Sequence, residues 1–76
     1  MLIVNKQVLS AVHIRLREIT AIETFEGKDA ETVAHALYQA DSNNSGMLRF
    51  SIDNHMHFYP LANIIYAQLI WEDTHE

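Results

Sequence analysis

Apolar and polar residues alternate most regularly between positions 47 and 59, and this alternation predicts two strands joined by a short loop. Arg49 and Ser51 separate three apolar residues, Leu48, Phe50 and Ile52. A period of two is typical of a strand with one buried face. Pro60 lacks an amide hydrogen, so the second strand ends there or lies at the edge of a sheet.

Two loop lengths are possible for this hairpin, and they place different side chains on its buried face. A two-residue loop at Asp53 and Asn54 would leave Met56 and Phe58 on the face of Arg49. A three-residue loop at 53–55 instead makes one face wholly apolar, with the pairs Ile52–Met56, Phe50–Phe58 and Leu48–Pro60. Because a slip of one residue moves every side chain to the other face, we predict the three-residue loop.

The segment 64–71 is apolar on both sides of a third predicted strand in this part of the chain. Ile64, Tyr66 and Ile70 fall on one side, and the other side carries Ile65, Ala67, Leu69 and Trp71. Either this strand is central beneath a helix, or one of its faces contacts a second subunit. We predict that the second set forms a homodimer interface and that residues 72–76 form a frayed acidic tail.

Residues 9–25 fit two periods, so the spacing alone leaves strand and helix open. Leu9, Val12 and Leu16 follow a helical spacing, whereas Val12, Ile14 and Leu16 alternate with polar residues as in a strand. The high content of β-branched residues favours the strand. We predict one long bent strand with a bulge near Glu18, preceded by a short strand at 2–4.

A helix is predicted for residues 29–41. Asp29 is a suitable N-cap, and Glu31 lies in the first turn, where the helix dipole favours a carboxylate. Its apolar stripe consists of Ala30, Val33, Ala34, Leu37 and Ala40. The elements together predict an α+β fold, a small antiparallel sheet of about 4–5 strands with one helix packed on one face, in the order ββαβββ.

Length and composition narrow the class of protein. A chain of 76 residues, 49% of them hydrophobic, predicts a single domain spanning 1–76. No apolar run is long enough for a membrane span, and the first residues lack the pattern of a signal peptide, so we expect a cytoplasmic protein. The absence of cysteine excludes disulfides and thiol chemistry.

Catalytic and metal-binding signals are weak. No serine has the glycine-flanked turn that exposes a nucleophile, and Ser51 opposite His57 is an ordinary cross-strand pair in the predicted register. His55 and His57 have the spacing at which two imidazoles on one strand can chelate a metal ion, but the sequence places no further ligand beside them. We predict no enzymatic activity, no metal site and no cofactor.

Charged residues are separated by sign along the chain. His13, Arg15 and Arg17 fall on one side of the predicted strand and form a cationic stripe. The acidic residues around the strand-to-helix loop include Glu23, Glu26 and Glu31. Such separation steers association with a charged partner, although a net charge of −5 disfavours nucleic acid as that partner.

Tyr59 lies beside Arg49 on the polar hairpin face of the predicted register, a composition typical of interface hot spots. We therefore favour a small non-enzymatic, homodimeric module that binds a protein partner and modulates or inhibits it, as phage- or plasmid-type inhibitors and accessory regulators do. The alternative is a regulator that binds nucleic acid or anions through the stripe of His13, Arg15 and Arg17. A second alternative is a metal-binding protein that uses His55 and His57.

Overall fold

A ten-residue strand at the centre of the larger sheet organises the fold. The computed structural model describes residues 3–4, 6–43 and 46–74. In chain order the elements are β1 (Ile3–Val4), β2 (Gln7–Leu16), β3 (Ile22–Glu26), α1 (Lys28–Asn43), β4 (Met47–Ile52), β5 (His55–Pro60), a 3-10 helix (Leu61–Asn63) and β6 (Ile64–Asp73).

The predicted α+β class is confirmed, and the five longer strands occur with the helix in the predicted order ββαβββ. The strands form two antiparallel sheets, whereas the prediction had one. β2 pairs with β6 along one edge and with β1 and β3 along the other, while β4 and β5 form a separate hairpin sheet.

The region 9–25 contains two strands joined by a reversal, so the predicted long bent strand with a bulge near Glu18 is wrong. Arg17 and Glu18 form a turn, and β3 returns beside β2 with Val12 opposite Phe25. β-branched residues are frequent on both sides of the turn, so a strand is favoured on either side whether the chain bends or reverses. Strand propensity alone therefore could not distinguish a bend from a reversal.

A bulge does occur in β2, at Ser10. The pairing of β2 with β6 shifts by one residue between Leu9 and Ala11. The extra residue lets Leu9 and Val12 both face the core although they are three positions apart. Ser10 Oγ donates a hydrogen bond of 3.3 Å to the Ile70 carbonyl, which supports the strand where the ladder is interrupted.

The core lies between the larger sheet and a second layer made by α1 and the hairpin. Its buried residues come mainly from β2, α1 and β4, and include Leu9, Val12, Ile14, Leu16, Ala30, Val33, Ala34, Ala36, Ala40, Leu48 and Phe50. The small alanines of α1 allow close approach of the helix to the sheet. Within the described residues the buried core contains no polar or charged residue.

The helix starts earlier and ends later than the predicted 29–41. It begins at Lys28, so Asp29 lies in the first turn together with Glu31 and is not the N-cap. Gly27 precedes the helix with a φ of 60°, and its carbonyl accepts a hydrogen bond of 3.4 Å from the Glu31 amide. Both carboxylates still lie near the positive end of the helix dipole.

The hairpin has a two-residue loop, so the predicted three-residue loop is wrong. The pairs on its core-facing side are Ile52–His55, Phe50–His57 and Leu48–Tyr59. Asp53 and Asn54 have φ angles of 50° and 66°, as in the type I′ turns whose twist matches the strands they connect. Asparagine and aspartate tolerate this left-handed conformation better than most residues, and the local turn decides the register.

β6 is an edge strand in the described structure, because it pairs with β2 only. It does not run centrally beneath the helix. A register shift opposite Arg15 and Leu16 leaves Ile65 as a second bulge. Four residues of β6, one before the bulge and three after it, pack against the core: Ile64, Ala67, Leu69 and Trp71.

β6 extends into the polar end of the chain. Glu72 and Asp73, the first two residues of the predicted frayed tail 72–76, belong to this strand. The amide and the hydroxyl of Thr74 each donate a hydrogen bond of 2.9 Å to the Lys6 carbonyl. Residues 75–76 lie outside the described residues.

Candidate interaction surfaces

The outer face of the β4–β5 hairpin exposes two large apolar side chains. Met56 and Phe58 are each 57% exposed, and their cross-strand partners are Ser51 and Arg49. We call these four residues the hairpin face. Aromatic residues, methionine and arginine are enriched at protein–protein interfaces, so the hairpin face has the composition of a binding surface.

The opposite face of the hairpin attaches it to the core through aromatic rings. Phe50 stacks on His57 with ring centroids 5.1 Å apart and an interplanar angle of 10°. It also meets Phe25 of β3 edge-on at 5.3 Å, and the Tyr59 ring lies at 5.8 Å. These contacts fix the inner side of the hairpin, and the alternation of a strand then turns Met56 and Phe58 outward.

Arg49 and Tyr59 do not form the predicted surface pair, because they lie on opposite faces of the hairpin. Arg49 is exposed, whereas Tyr59 is half-buried and packs against the core. Burial, and to a smaller extent the charge of Glu23, raises the pKa of the Tyr59 hydroxyl above its ordinary value. Tyr59 therefore contributes to packing, and Arg49 alone of the two belongs to the hairpin face.

The two histidines of β5 occupy different environments. His55 is exposed beside the turn, whereas His57 is half-buried and stacked on Phe50. Ser51 lies on the opposite face from His57, so the two do not form a serine–histidine pair. Over residues 3–4, 6–43 and 46–74, no three histidine, aspartate or glutamate side chains are grouped so that they could hold a metal ion. The contacts of His57 indicate a packing role.

The face of the larger sheet turned away from the core carries a mixed surface, which we call the outer sheet face. Its residues form three rows across β3, β2 and β6, namely Ile22–Arg15–Tyr66, Thr24–His13–Gln68 and Glu26–Ala11–Ile70. Ile22 and Tyr66 are 43% and 39% exposed. Arg15 lies between them, and its buried Nε has no hydrogen-bond partner in the described structure.

The predicted cationic stripe contains two residues on the sheet, not three. His13 and Arg15 share the outer sheet face, but Arg17 lies in the turn that follows β2. The Arg17 Nε donates a hydrogen bond of 2.7 Å to the Ala62 carbonyl, and its amide donates one of 2.9 Å to the Asn63 carbonyl. Arg17 thus ties the turn to the 3-10 helix, and the stripe is too short for a continuous phosphate-binding surface.

The predicted acidic residues point in different directions. Glu23 lies on the core side of β3 and is half-buried, whereas Glu26 is exposed on the outer sheet face. Glu31 is half-buried in the first turn of α1. These three residues therefore do not form one acidic docking surface.

The residues predicted for a dimer interface fall into two groups. Ile65 is 53% exposed, whereas the side chains of Ala67, Leu69 and Trp71 are half-buried and pack against the core of their own subunit. Most of the contacts of these three side chains are therefore with the core of their own subunit. What the described structure leaves open is the backbone edge of β6 on the side away from β2.

The surface of the described residues has a smaller and a larger depression. The one beside Tyr59 has a volume of about 140 Å³, below the roughly 300 Å³ at which small-molecule pockets begin. The other, of about 320 Å³, is an open depression beside the start of α1, lined by Val8, Leu9, Gly27, Lys28 and Glu31. Its lining combines the apolar residues Val8 and Leu9 with one cation and one carboxylate, Lys28 and Glu31.

Sequence reasoning missed Met56 and Phe58 as surface residues. The signal was present in Asp53 and Asn54, two residues suited to a two-residue turn. Giving this local signal more weight than the apolar pattern would have placed both side chains outside.

No family model, curated protein or solved structure matches this chain. In the part of the chain that the structure describes, no helix is both long and apolar enough to span a membrane.

Proposed function

We propose that the chain is a small non-enzymatic module that binds another protein through the hairpin face and modulates or inhibits it. The observation that carries this proposal is the exposure of Met56 and Phe58, each 57%, beside Arg49. A partner that covers these side chains would remove their apolar area from water. Arg49 would give the contact an orientation through a charged hydrogen bond.

The chemistry of the hairpin face favours a protein over nucleic acid as the partner. It combines one cation with two apolar side chains and a serine, whereas phosphate binding requires several cations along one surface. The net charge of −5 acts against a polyanion as well. We further propose that the module is a homodimer and acts in the cytoplasm as an inhibitor or accessory regulator.

Site-specific photo-cross-linking in the source cells tests the hairpin face directly. Benzoylphenylalanine replaces Phe58 in one variant and Tyr38 in a matched control, because Tyr38 is an aromatic residue on α1 with 59% exposure. We expect position 58, and not position 38, to give a discrete adduct with one protein. Adducts that are identical at both positions, or absent at position 58, would contradict the proposal.

A second variant separates binding from folding. Met56→Ser with Phe58→Ser should abolish capture of the cross-linked partner while leaving the circular dichroism spectrum and melting curve close to those of the parent. Ser51→Ala, on the same face, is the matched control and should retain most of the capture.

A further inference from the structure

The open edge of β6 lacks most of the features that protect sheet edges from pairing. Residues 64–71 contain no charge and no proline, and in the described structure this strand is paired on its β2 side only. Charges, prolines, bulges or a covering element normally block such an edge. The bulge at Ile65 lies at one end and leaves 66–71 regular, whereas β3, at the other side of the sheet, carries Glu23 and Glu26.

The backbone groups on this edge can be identified from one hydrogen bond. The Ile70 carbonyl accepts from Ser10 Oγ, so it points toward β2. Successive residues of a strand direct their N–H and C=O groups to opposite edges. The groups that point away from β2 therefore belong to Ala67, Leu69 and Trp71.

We infer that two copies of the chain pair antiparallel through this edge, with the two-fold axis at Gln68. This inference rests on the homodimer proposed above and names its interface. Gln68 then lies opposite Gln68 of the second copy, and the flanking pairs are Tyr66–Ile70 and Ala67–Leu69. No like charges are directly opposite, and the apolar residues meet one another.

The neighbouring registers are less favourable. An axis at Leu69 would place Tyr66 opposite the carboxylate of Glu72. An axis at Ala67 would bring the bulge at Ile65 into the ladder and use less of the regular part of β6. With the axis at Gln68, the paired residues 66–70 lie wholly within the uncharged and regular part of β6.

This pairing would join the two outer sheet faces into one surface. Because Tyr66 lies beside Arg15 and Ile70 beside Ala11, the row Ile22–Arg15–Tyr66 of one copy continues into Ile70–Ala11–Glu26 of the second copy. Each such row carries a cation toward one end and a carboxylate at the other, and the middle row contains His13 from both copies. The dimer therefore has a continuous mixed-charge surface that neither copy has alone.

A charge exchange at position 68 tests both the edge and the register. Gln68 is exposed, so Gln68→Lys and Gln68→Glu should fold as the parent does. Each change places like charges directly opposite across the axis and should raise the dissociation constant several-fold. An equimolar mixture should restore dimers, because lysine then faces glutamate. The control is Thr24→Lys, an exposed position on the same sheet face but on β3.

Sedimentation equilibrium from micromolar to several hundred micromolar measures each outcome. A parent dimer near twice 8.8 kDa, weakened by both changes at position 68 and restored in the mixture, supports the inference. If the parent is a dimer that neither change at position 68 weakens, the two copies do not pair through the β6 edge. If both changes weaken the dimer but the mixture does not restore it, the two-fold axis is not at Gln68. Equal weakening by Thr24→Lys would also overturn the inference. A parent monomer throughout the range removes the homodimer itself but leaves binding through the hairpin face untouched.

Discussion

The larger sheet and the hairpin use the same alternation of apolar and polar residues with opposite results. In β2 the alternating residues Val12 and Ile14 are fully buried, whereas in β5 Met56 and Phe58 are 57% exposed and His57 takes the position against the core. β2 receives its register from the strands paired along both of its edges, but β5 receives it from a tight turn. Where the residues of a tight turn fix the register of a strand, apolar side chains that this register leaves exposed are candidates for a binding surface.

The largest difference in stability between the two hairpin faces is expected when one phenylalanine on each face is replaced by alanine. Phe50→Ala removes a 5% exposed side chain and should lower the free energy of unfolding by about 3–5 kcal/mol, through lost burial and a residual cavity. Phe58→Ala should change it by no more than about 0.5 kcal/mol, as surface substitutions usually do. Urea unfolding of both variants measures the difference. If Phe58→Ala were the more damaging change, the three-residue loop would be the correct register.

A smaller loss of stability is expected from replacing His57, the polar residue that faces the core opposite Phe50. His57→Ala removes the ring stacked on Phe50 and should cost about 1 kcal/mol, the usual contribution of a paired aromatic ring. Met56→Ala, one position earlier, is the control and should cost less because its side chain faces solvent. Thermal unfolding of the two variants at neutral pH checks the order, and a greater loss for Met56→Ala would contradict the assigned faces.

The smallest expected effect is a loss of stability at alkaline pH that depends on Tyr59. Burial raises the pKa of Tyr59 in the folded state above its ordinary value of 10.0, so the folded protein holds this proton more tightly than the unfolded chain does. The associated stability is complete below the ordinary pKa and is lost as the pH rises through the raised pKa. Tyr59→Phe should therefore reduce the loss of stability above pH 10.0.

The Tyr59 titration itself can be followed by the absorbance of tyrosinate, as the difference between the parent and Tyr59→Phe. Glu23→Gln removes the second cause of the shift and should lower the pKa of Tyr59 partway toward its ordinary value. An unchanged titration in Glu23→Gln would show that the carboxylate does not act on this hydroxyl.

Much of the fold followed from residues whose local and long-range preferences agree. The stripe containing Val33 and Ala34 predicted the helix and its buried side, and the alternation along Leu48 and Phe50 predicted β4 and its core face. The failures occurred where two signals competed. Around Glu18 the high content of β-branched residues fits a bend as well as a reversal, and beyond Asn54 the turn overrode the apolar pattern.

The interaction surfaces could be predicted only in part, because face assignment depends on register. Arg49 is exposed, as the sequence predicted. Tyr59, its predicted neighbour, faces the core because the loop is one residue shorter than predicted. His13 and Arg15 lie on one face as expected from their spacing within a single strand. Arg17 left that face because the strand ends at Leu16, and nothing in the alternation marks this end.

The bulge at Ser10 has a consequence for how the chain folds. The Ser10 carbonyl accepts a hydrogen bond of 3.3 Å from the Gly27 amide, and the Ser10 hydroxyl donates one to the Ile70 carbonyl. Ser10 therefore contacts one segment that is synthesised soon after it and one that is synthesised much later. Until β6 has been made, β2 has a partner on one edge only. Closing such a long loop is slow compared with forming a local hairpin, so β2 remains a template for misassembly until β6 docks.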